Sequence, residues 1–456
     1  MNNNIKAELK KIVTPDRFRD DPETLASYSY DGFNVRATPE IVLFPVTTDE
    51  ISQTMKIANH EKIPVTVRGA GTNLSGGSVP HQKGIVLCLT KMNKILEIKT
   101  RDRYAIVQPG VVNGDLQQAL AKDNFFFPPD PSSFTVSTIG GNIAENAGGP
   151  RCLKYGVTVD YVMGLEVVLA SGKIIRLGSR NVKDVTGYRP SGIFCGSEGT
   201  LGIITEATVR VAPIPETKQT AMITFADLDH SAQTVADVIG SGILPAAAEL
   251  MDNAVINVVE DAMQLGLPRD AEGIILVDVD GVEEAVEKEL NKIVEIARAN
   301  HATDIQIART KEESDALWTA RRAVYGIQNR LSPDIIVEDA TVPVSRIPEM
   351  IRGCKKIAAR HDIKFCIVGH AGDGNLHPTI STDIRNKEEM KRVEAACIEI
   401  FKLAHELGGC LTGEHGVGLA KAPYLSLVMS PDTMEFLSTI KASLDPNNIL
   451  NPGKFA

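Results

Sequence analysis

The order of apolar and polar positions predicts an α/β texture in the first half of the chain. The apolar run at 41–46 predicts a strand, and Asp49 is the predicted N-cap of a helix with Ile51, Met55 and Ala58 on its inner face. Runs rich in β-branched residues predict further strands, separated by long glycine-bearing connections. These strands are expected at 64–69, 84–89, 104–110, 164–172 and 202–213.

The pattern of predicted secondary-structure elements changes at 213–218, where prolines and charges predict a domain boundary. Beyond it, long amphipathic helices alternate with strands, as in the strand at 273–281 and the helix that follows it. That helix is expected to place one face inward, formed by Val282, Val286, Ile293 and Ala297. The alternation predicts an α+β layer in which helices pack on a mainly antiparallel sheet. The expected domains are 1–215, 216–410 and a C-terminal segment, 411–456.

Composition narrows the class of protein. The 456 residues carry 48 Lys plus Arg against 58 Asp plus Glu, and the net charge of -10 argues against a nucleic-acid partner. No uncharged apolar run reaches membrane-spanning length, and the opening residues lack the apolar core of a secretory signal, so the expected location is the cytoplasm. Seven cysteines without a C-x-x-C pair argue against a disulfide framework, a zinc ribbon or an iron-sulfur cluster of the chain's own.

A glycine-rich segment at 67–77 follows a predicted strand and is a candidate phosphate loop. Its backbone N–H groups, with the hydroxyls of Thr72 and Ser75, could hold a pyrophosphate. The segment is neither a Walker loop nor a G-x-G-x-x-G fingerprint, since Leu74 stands where the third glycine would be. A plain glycine-rich turn is the alternative. Three later segments rich in small residues favour close approach to a ligand, at 128–133, 137–156 and 196–205.

Three of the nine histidines stand in glycine-rich segments. Between His370 and His377 lies the sequence AGDGN, residues 371–375, which is a strong turn. Both rings can therefore return to one side of a hairpin. With Glu414 they give two imidazoles and a carboxylate, a set used by catalytic zinc and by non-haem iron. The alternative is a pair of hydrogen-bonded loop histidines. His415, next to Glu414, is a candidate base near neutral pH.

The four glycine-bearing segments together resemble the flavin-binding domain of the vanillyl-alcohol oxidase superfamily, over roughly residues 38–215. The resemblance implies two small α/β subdomains that hold FAD. In many relatives a histidine of the first loop bonds to the flavin, but this loop reads Gly71, Thr72, Asn73, which implies non-covalent FAD. The implied FAD contacts are Arg68, Gly69, Gly71, Thr72, Asn73, Leu74, Ser75, Pro129, Asp130, Ser132, Thr138, Gly140, Gly141, Asn142, Ala147, Gly148, Gly199, Ile204 and Asn451.

A second resemblance covers nearly the whole chain. The sequences HAGDGNLHP, GEHGVG, NPGK and LWTARR resemble those of the FAD-linked D-2-hydroxy acid dehydrogenases, which include glycolate oxidase subunits and D-lactate dehydrogenases. The resemblance implies that His370, His377 and Glu414 bind a divalent metal, Zn, Fe or Mn. It makes His415 the catalytic base and Arg321 the residue that binds the substrate carboxylate, as a guanidinium can do bidentately. Residue types alone do not choose between Arg321 and Arg322.

The same resemblance indicates the reaction. Relatives that oxidise a dicarboxylate carry a lysine where this chain has Val337, which favours a small monocarboxylate substrate. The expected reaction is oxidation of D-lactate to pyruvate, with electrons passed to an electron-transfer flavoprotein. Alternatives are glycolate oxidation with an iron-sulfur partner subunit, a non-redox flavoenzyme of the alkyl-dihydroxyacetone-phosphate synthase type, and a scaffold with no 2-hydroxy acid pocket. D-lactate and glycolate differ by one methyl group, worth about 1 to 3 kcal/mol in a pocket.

Overall fold

The structure is a computed structural model that describes residues 1–189, 191–328, 330 and 332–455. The chain divides into two compact units. The first unit comprises 1–148, 157–214 and 414–456, and the second comprises 149–156 and 215–413. Among the described residues, no helix is both long and apolar enough to cross a bilayer.

The first unit contains a small, mostly parallel sheet in its described residues. The central strand Ile85–Cys88 pairs in parallel with Ile41–Leu43 on one side and with Val65–Arg68 on the other. The strand-helix-strand order predicted from the sequence is present, because the helix Thr48–Glu61 connects the two outer parallel strands. The strands of this sheet are, in spatial order, Phe18–Arg19, Ile41–Leu43, Ile85–Cys88 and Val65–Arg68.

The helix Thr48–Glu61 shows both what the pattern predicts and where it fails. Ile51, Met55 and Ala58 are fully buried, as their spacing predicts. The prediction of Asp49 as N-cap was wrong: the cap is Thr47, whose hydroxyl accepts the N–H of Glu50 at 3.2 Å. Asp49 lies in the first turn instead, where a negative charge complements the helix dipole.

The first unit also contains an antiparallel sheet and a short ribbon in its described part. The strands of this sheet are, in spatial order, Ile95–Lys99, Tyr104–Val107, Ile203–Arg210, Val162–Val168 and Ile174–Gly178, and the ribbon pairs Ala212–Pro213 with Phe125–Phe126. The α-helices of the first unit are Asn3–Ile12, Pro22–Ser27, Thr48–Glu61, Asn113–Ala121, Ile139–Glu145, Ser191–Phe194, Gly418–Lys421 and Pro431–Leu444. Its 3₁₀ helices are Pro15–Arg17, Leu89–Lys91, Thr100–Asp102, Thr158–Tyr161 and Ala422–Leu427.

Residues near the C-terminal end pack into the parallel sheet of the first unit. The Val65 N–H donates to the Ile449 carbonyl at 2.7 Å, and the Asn451 N–H donates to the Val65 carbonyl at 2.8 Å. The ammonium group of Lys454 is buried and donates to the carbonyls of Gly77 at 2.8 Å and Val79 at 2.5 Å. These bonds fix the segment after Val65–Arg68, which contains the first glycine loop.

The second unit is an antiparallel sheet covered by long helices, as the sequence predicted. Its strands are, in spatial order, Ala302–Ile307, Thr217–Phe225, Gly273–Gly281, Ala247–Asp252, Lys364–His370, Asn375–Thr382 and Asp334–Val337, and Ala340–Thr341 also pairs with Asn375–Thr382. Its α-helices are Cys152–Tyr155, Leu228–Gly240, Asn253–Met263, Glu283–Ala299, Lys311–Gln328, Ile347–His361 and Lys387–Glu406, and its 3₁₀ helix is Val344–Arg346.

The helix Glu283–Ala299 packs on this sheet through a buried stripe. Val286, Ile293 and Ala297 lie in the core, as predicted, together with Leu290. Val282 does not belong to that face: it is 55% exposed and is the N-cap residue, outside the helix itself. The inward stripe therefore begins one turn later than the pattern suggested.

Candidate active site

A buried glutamate, Glu249, lies in the middle of the sheet of the second unit. Its strand, Ala247–Asp252, places it directly opposite His370 on the neighbouring strand. The Nδ1 atom of His370 lies 2.7 Å from Oε1 of Glu249. The Nε and Nη2 atoms of Arg321 both lie 2.7 Å from the other carboxylate oxygen, Oε2. One carboxylate thus contacts two of the residues singled out by the sequence.

The contact with Glu249 indicates which ring nitrogen of His370 carries a proton. Burial by itself would raise the pKa of Glu249, but the neighbouring His370 and Arg321 bring it below its usual value. An ionised carboxylate only accepts hydrogen bonds, so Nδ1 of His370 must carry the proton that joins the two residues. In the neutral imidazole, the other ring nitrogen, Nε2, is then the atom through which His370 can bind a metal.

His370 and His377 share one face of a β-hairpin. His370 pairs with Asn375 across the hairpin, and His377 pairs with Val368, so the two imidazoles are diagonal neighbours. Their ring centroids are 5.1 Å apart, and one ring nitrogen of each lies within 4.8 Å of the other. The turn requires Gly374, which has φ +83° and would place a Cβ 1.9 Å from the Val342 carbonyl. The prediction that both rings return to one side is confirmed.

A second buried carboxylate, Asp339, organises the segment that leads to Glu414. It accepts Asn375 Nδ2 at 2.7 Å on Oδ1, and on Oδ2 it accepts the Thr412 hydroxyl at 2.6 Å and the Gly413 N–H at 2.8 Å. Its Oδ1 lies 3.7 Å from His377 Nδ1. The chain is therefore fixed at Gly413, the residue before Glu414, by the same carboxylate that faces a candidate metal ligand.

Glu414 and His415 begin the last part of the first unit, where Glu198 holds the loop that follows them. Glu198 accepts the N–H of Val417 at 2.6 Å on one oxygen and that of Gly418 at 2.7 Å on the other. Burial raises the pKa of Glu198 to about 7, although these two bonds act in the opposite direction. This paired contact restricts the backbone two residues after His415.

The first glycine loop of the first unit is supported from within. Arg68 donates to the Tyr30 carbonyl at 2.6 Å, and Asn73 donates to Asp31 at 2.8 Å while accepting the Ser78 hydroxyl at 2.9 Å. Both side chains therefore shape the loop. Close packing explains Gly69, since a Cβ there would lie 2.3 Å from the hydroxyl oxygen of Thr138.

Buried polar atoms in the first unit test whether FAD fits these loops. Ser75 Oγ, Ser137 Oγ and Asn142 Nδ2 are buried and have no hydrogen-bond partner in the described part of the chain. Buried polar groups are normally hydrogen-bonded. Two hydroxyls and an amide N–H₂ suit a ligand with phosphate and carbonyl oxygens, as FAD has. All three atoms lie in segments for which the sequence predicted FAD contacts.

The other predicted FAD contacts also lie in the first unit, and several of them support its backbone. Thr138 caps the helix Ile139–Glu145 by accepting the Gly141 N–H at 3.3 Å, and the Pro129 carbonyl accepts Asn113 Nδ2 at 3.0 Å. Asn451 donates to the carbonyls of Gly77 and Glu198 at 2.8 and 2.6 Å. The remaining ones are Gly71, Thr72, Leu74, Asp130, Ser132, Gly140, Ala147, Gly148, Gly199 and Ile204.

Sequence reasoning missed the three carboxylates that support these segments. Glu249 stands in the otherwise apolar run AAAELM, and a lone acid in a buried strand was the available signal. Asp339 and Glu198 gave weaker signals, since both lie in polar, turn-rich segments. The structure also separates the two adjacent arginines: Arg321 reaches Glu249, whereas Arg322 is exposed and lies 5.7 Å from the ring of Trp318.

Comparison with family models gives two matches that together cover most of the chain. Residues 39–178 match a model described as "FAD binding domain". Residues 214–455 match "FAD linked oxidases, C-terminal domain".

Similar proteins match over nearly their full length. A glycolate oxidase subunit GlcD from Bacillus subtilis is 49% identical over 99% of this chain and 96% of its own. A D-lactate dehydrogenase from Anaerostipes hadrus is 35% identical over 98% and 96%, and one from Archaeoglobus fulgidus is 36% identical over 98% of each chain.

Solved structures of more distant proteins share the fold. p-Cresol methylhydroxylase aligns with a TM-score of 0.83 at 18% identity, covering 99% of this chain and 96% of that one. An alkyldihydroxyacetonephosphate synthase aligns with a TM-score of 0.78 at 20% identity, covering 100% and 86%. At such identities the likeness concerns the fold alone.

Proposed function

Because the chain belongs to the FAD-linked oxidase family, we propose that it oxidises a small D-2-hydroxy monocarboxylate, D-lactate first, to the 2-keto acid. Its fold is that of the vanillyl-alcohol oxidase superfamily, and it is an FAD-linked oxidoreductase. The relatives support oxidation of a hydroxy acid. The substrate, the residues and the acceptor are our proposal.

One observation carries the proposal. On one face of the second unit's sheet, Glu249 joins the guanidinium of Arg321 to the imidazole of His370, and a ring nitrogen of His370 lies within 4.8 Å of one of His377. A 2-hydroxy acid presents a carboxylate next to a hydroxyl group, and these two groups need a cationic partner and a site that removes a proton. Arg321 supplies the first, since a guanidinium has five N–H donors and Glu249 occupies only one side of it.

The residues divide the chemistry between them. Arg321 holds the substrate carboxylate, and His370, His377 and Glu414 form the metal site. His415 takes the hydroxyl proton, a task that suits an imidazole near neutral pH. When bound, a divalent metal would offset the negative charge on the substrate oxygen, and non-covalent FAD would accept the hydride from the α carbon.

The apolar Val337 supports a monocarboxylate. Val337 pairs with Thr379, and because alternate residues of a strand share a face, it lies on the same face as His377. A dicarboxylate would bring a second negative charge to a surface that offers an apolar side chain at this position. D-lactate avoids that cost.

Glycolate is the second candidate, and a specific observation favours it. The Bacillus subtilis relative named as a glycolate oxidase subunit is 49% identical, against 35% and 36% for the D-lactate dehydrogenases. Glycolate lacks only the methyl group of D-lactate, worth about 1 to 3 kcal/mol in a pocket, so we expect an enzyme for one to react measurably with the other. The ratio of their kcat/KM values decides the physiological assignment.

Electrons must leave the reduced flavin, and we propose that a partner protein receives them. The chain has no C-x-x-C pair with which to build its own iron-sulfur cluster. An electron-transfer flavoprotein and an iron-sulfur subunit are the two partner classes, and the name of the Bacillus relative, a subunit, agrees with a multi-protein enzyme. Rapid reoxidation by one purified partner and slow reoxidation by oxygen is the expected result.

The first experiment is an anaerobic titration of the yellow protein that follows flavin bleaching. D-lactate, L-lactate, glycolate and D-2-hydroxyglutarate are added separately, before and after treatment with a chelator. We expect bleaching by D-lactate and glycolate, none by L-lactate, and loss of the response after chelation. Full occupancy of FAD and metal without bleaching by any of the four acids would refute the proposed function.

A further inference from the structure

Glu249 contacts two of the three residues to which the proposed function gives a ligand in the second unit, Arg321 and His370. It is fully buried, the side chain of Arg321 is 12% exposed, and His370 is 3% exposed. Each carboxylate oxygen has its own partner: Oε1 faces His370, and Oε2 faces Arg321. With both oxygens in contact with these partners and the side chain fully buried, the carboxylate is placed to act through its neighbours.

The bond to His370 determines which ring nitrogen can bind a metal. A carboxylate that accepts from Nδ1–H keeps the proton on Nδ1, and the lone pair on Nε2. Histidine ligands of metals are commonly oriented by such a bond, and the loss of the outer partner typically weakens metal binding by about 10- to 100-fold.

The bond to Arg321 determines where the guanidinium points. Arg321 lies on the helix Lys311–Gln328 and reaches the sheet only through its long side chain. The contact of Nε and Nη2 with Oε2 fixes the plane of the guanidinium group. A fixed plane is what bidentate binding of a substrate carboxylate requires.

We propose that Glu249 is a positioning residue that couples the two sites, because one carboxylate sets the tautomer of His370 and the orientation of Arg321. This inference rests on the proposed function, since it assigns a metal to His370 and a substrate carboxylate to Arg321. It adds a residue to which no motif of the sequence pointed. It also implies that metal affinity and substrate KM respond together to one substitution.

The test uses Glu249→Gln, which keeps the shape and removes the charge. The glutamine oxygen is expected to face Arg321, because an N–H₂ group would oppose the guanidinium donors. Its N–H₂ group then faces Nδ1 of His370, which must become an acceptor, so the proton moves to Nε2 and blocks the metal lone pair. The change at His370 is visible by NMR of ¹⁵N-histidine-labelled protein, with His370→Gln to assign the signal.

The matched control is Asp252→Asn, the same change three positions along the same strand. Asp252 is also buried, and it accepts the N–H groups of Val255 at 2.9 Å and Ile367 at 2.7 Å. An odd spacing along a strand places it on the opposite face from Glu249. It therefore reports the general cost of removing a buried carboxylate from this sheet.

Binding of Mn²⁺ alone to the chelator-treated, FAD-containing protein is measured by calorimetry, and KM and kcat for D-lactate and glycolate are measured separately. For Glu249→Gln we expect Mn²⁺ affinity lower by about 10- to 100-fold, a KM raised by at least about tenfold, and the tautomer change. Asp252→Asn should keep Mn²⁺ affinity and KM within about twofold of the wild-type protein and should leave the tautomer of His370 unchanged. Mn²⁺ affinity of Glu249→Gln equal to wild type, or equal losses in both variants, would overturn the inference.

A second variant covers the case in which Glu249→Gln does not fold. Glu249→Asp keeps the buried charge but withdraws the carboxylate by one methylene, so it cannot reach both partners as Glu249 does. It is expected to lose Mn²⁺ affinity, substrate affinity or both, and wild-type values for both would overturn the inference. A third outcome separates this inference from the proposed function. If the wild-type protein binds Mn²⁺ and Glu249→Gln does not, but no 2-hydroxy acid bleaches the wild-type flavin, then the proposed function fails while the role of Glu249 toward His370 stands.

Discussion

Gly413 offers a sharp test of how the structure positions the two residues that follow it. A Cβ at this position would lie 2.2 Å from Thr341 Oγ1 and 2.3 Å from Asn375 Nδ2. Gly413 does not have a left-handed φ, so Gly413→Ala changes the packing without imposing a forbidden backbone conformation. An ordinary contact needs about 3.4 Å, which means that the loop or its neighbours must move by about 1.2 Å. Either movement breaks the set of bonds around Asp339.

The consequence follows from covalent geometry. The Cα atom of Glu414 lies about 3.8 Å from that of Gly413, so a displaced Gly413 moves the proposed metal ligand and the base next to it. A misplacement of about 1 Å can reduce a rate by about 100-fold, and overpacking typically costs 1–3 kcal/mol of stability, so about that is expected here. Stopped-flow reduction of the flavin by D-lactate or glycolate measures the rate, and thermal unfolding measures the stability.

The control is Gly240→Ala, at the exposed end of the helix Leu228–Gly240, where a Cβ meets nothing within 4 Å. It should reduce its flavin at the wild-type rate. FAD content should be normal in both variants, because the predicted FAD contacts belong to the first unit. A folded Gly413→Ala protein that works within about threefold of wild type, against the 100-fold loss expected, would refute the reasoning.

Three further predictions concern other positions. His415→Ala should lower the rate of flavin reduction by about 100- to 10,000-fold, as expected for loss of a general base, with the flavin spectrum unchanged; a rate near wild type would exclude His415 as the base. Burial raises the pKa of Asp252 to about 6, so the folded state holds this proton more tightly than the unfolded state does. The free energy of unfolding should therefore fall as the pH rises from about 4 to 6, by about 3 kcal/mol at 1.36 kcal/mol per pKa unit. Urea unfolding should show a smaller fall for Asp252→Asn, and an equal dependence of stability on pH in both proteins would contradict the burial argument. Val337→Lys should raise the kcat/KM for D-2-hydroxyglutarate relative to D-lactate by about tenfold or more, the worth of one charge-assisted contact, and an unchanged ratio would place Val337 outside the substrate pocket.

Local patterns were enough to predict most of the fold. The buried stripe of Ile51, Met55 and Ala58 follows from periodicity, and the strand Ile41–Leu43 follows from the first half of the apolar run at 41–46; both signals depend only on neighbouring residues. Errors occurred at element ends. Thr47 rather than Asp49 caps a helix, because several polar residues compete for a cap and only the backbone geometry decides among them. Val282 is itself an N-cap residue and precedes the first turn of its helix.

The candidate site shows where sequence reasoning stops. The hairpin that brings His370 and His377 to one face could be predicted, because a short turn and alternation along the strands fix it. Glu249 could not be paired with them, since it lies 121 residues earlier and only the strand register makes it the neighbour of His370. The choice of Arg321 over Arg322 depended likewise on which face of a helix meets the sheet. Contacts between residues far apart in sequence carry no local signature.

The division of the first unit into separate stretches of chain has a consequence for the order of events during synthesis. Residues 414–456 complete this unit, yet they are made only after the whole of 215–413. The second unit can therefore form its core on the nascent chain while the parallel sheet of the first unit still lacks the backbone partner of Val65 and the ammonium of Lys454. Because the entropy of loop closure grows only slowly with loop length, the long segment 215–413 adds little to the free-energy cost of joining residues 414–456 to the rest of the first unit. Capture of FAD by a fully formed glycine loop thus becomes a late step in the biogenesis of the protein, after residues 449–454 have been added.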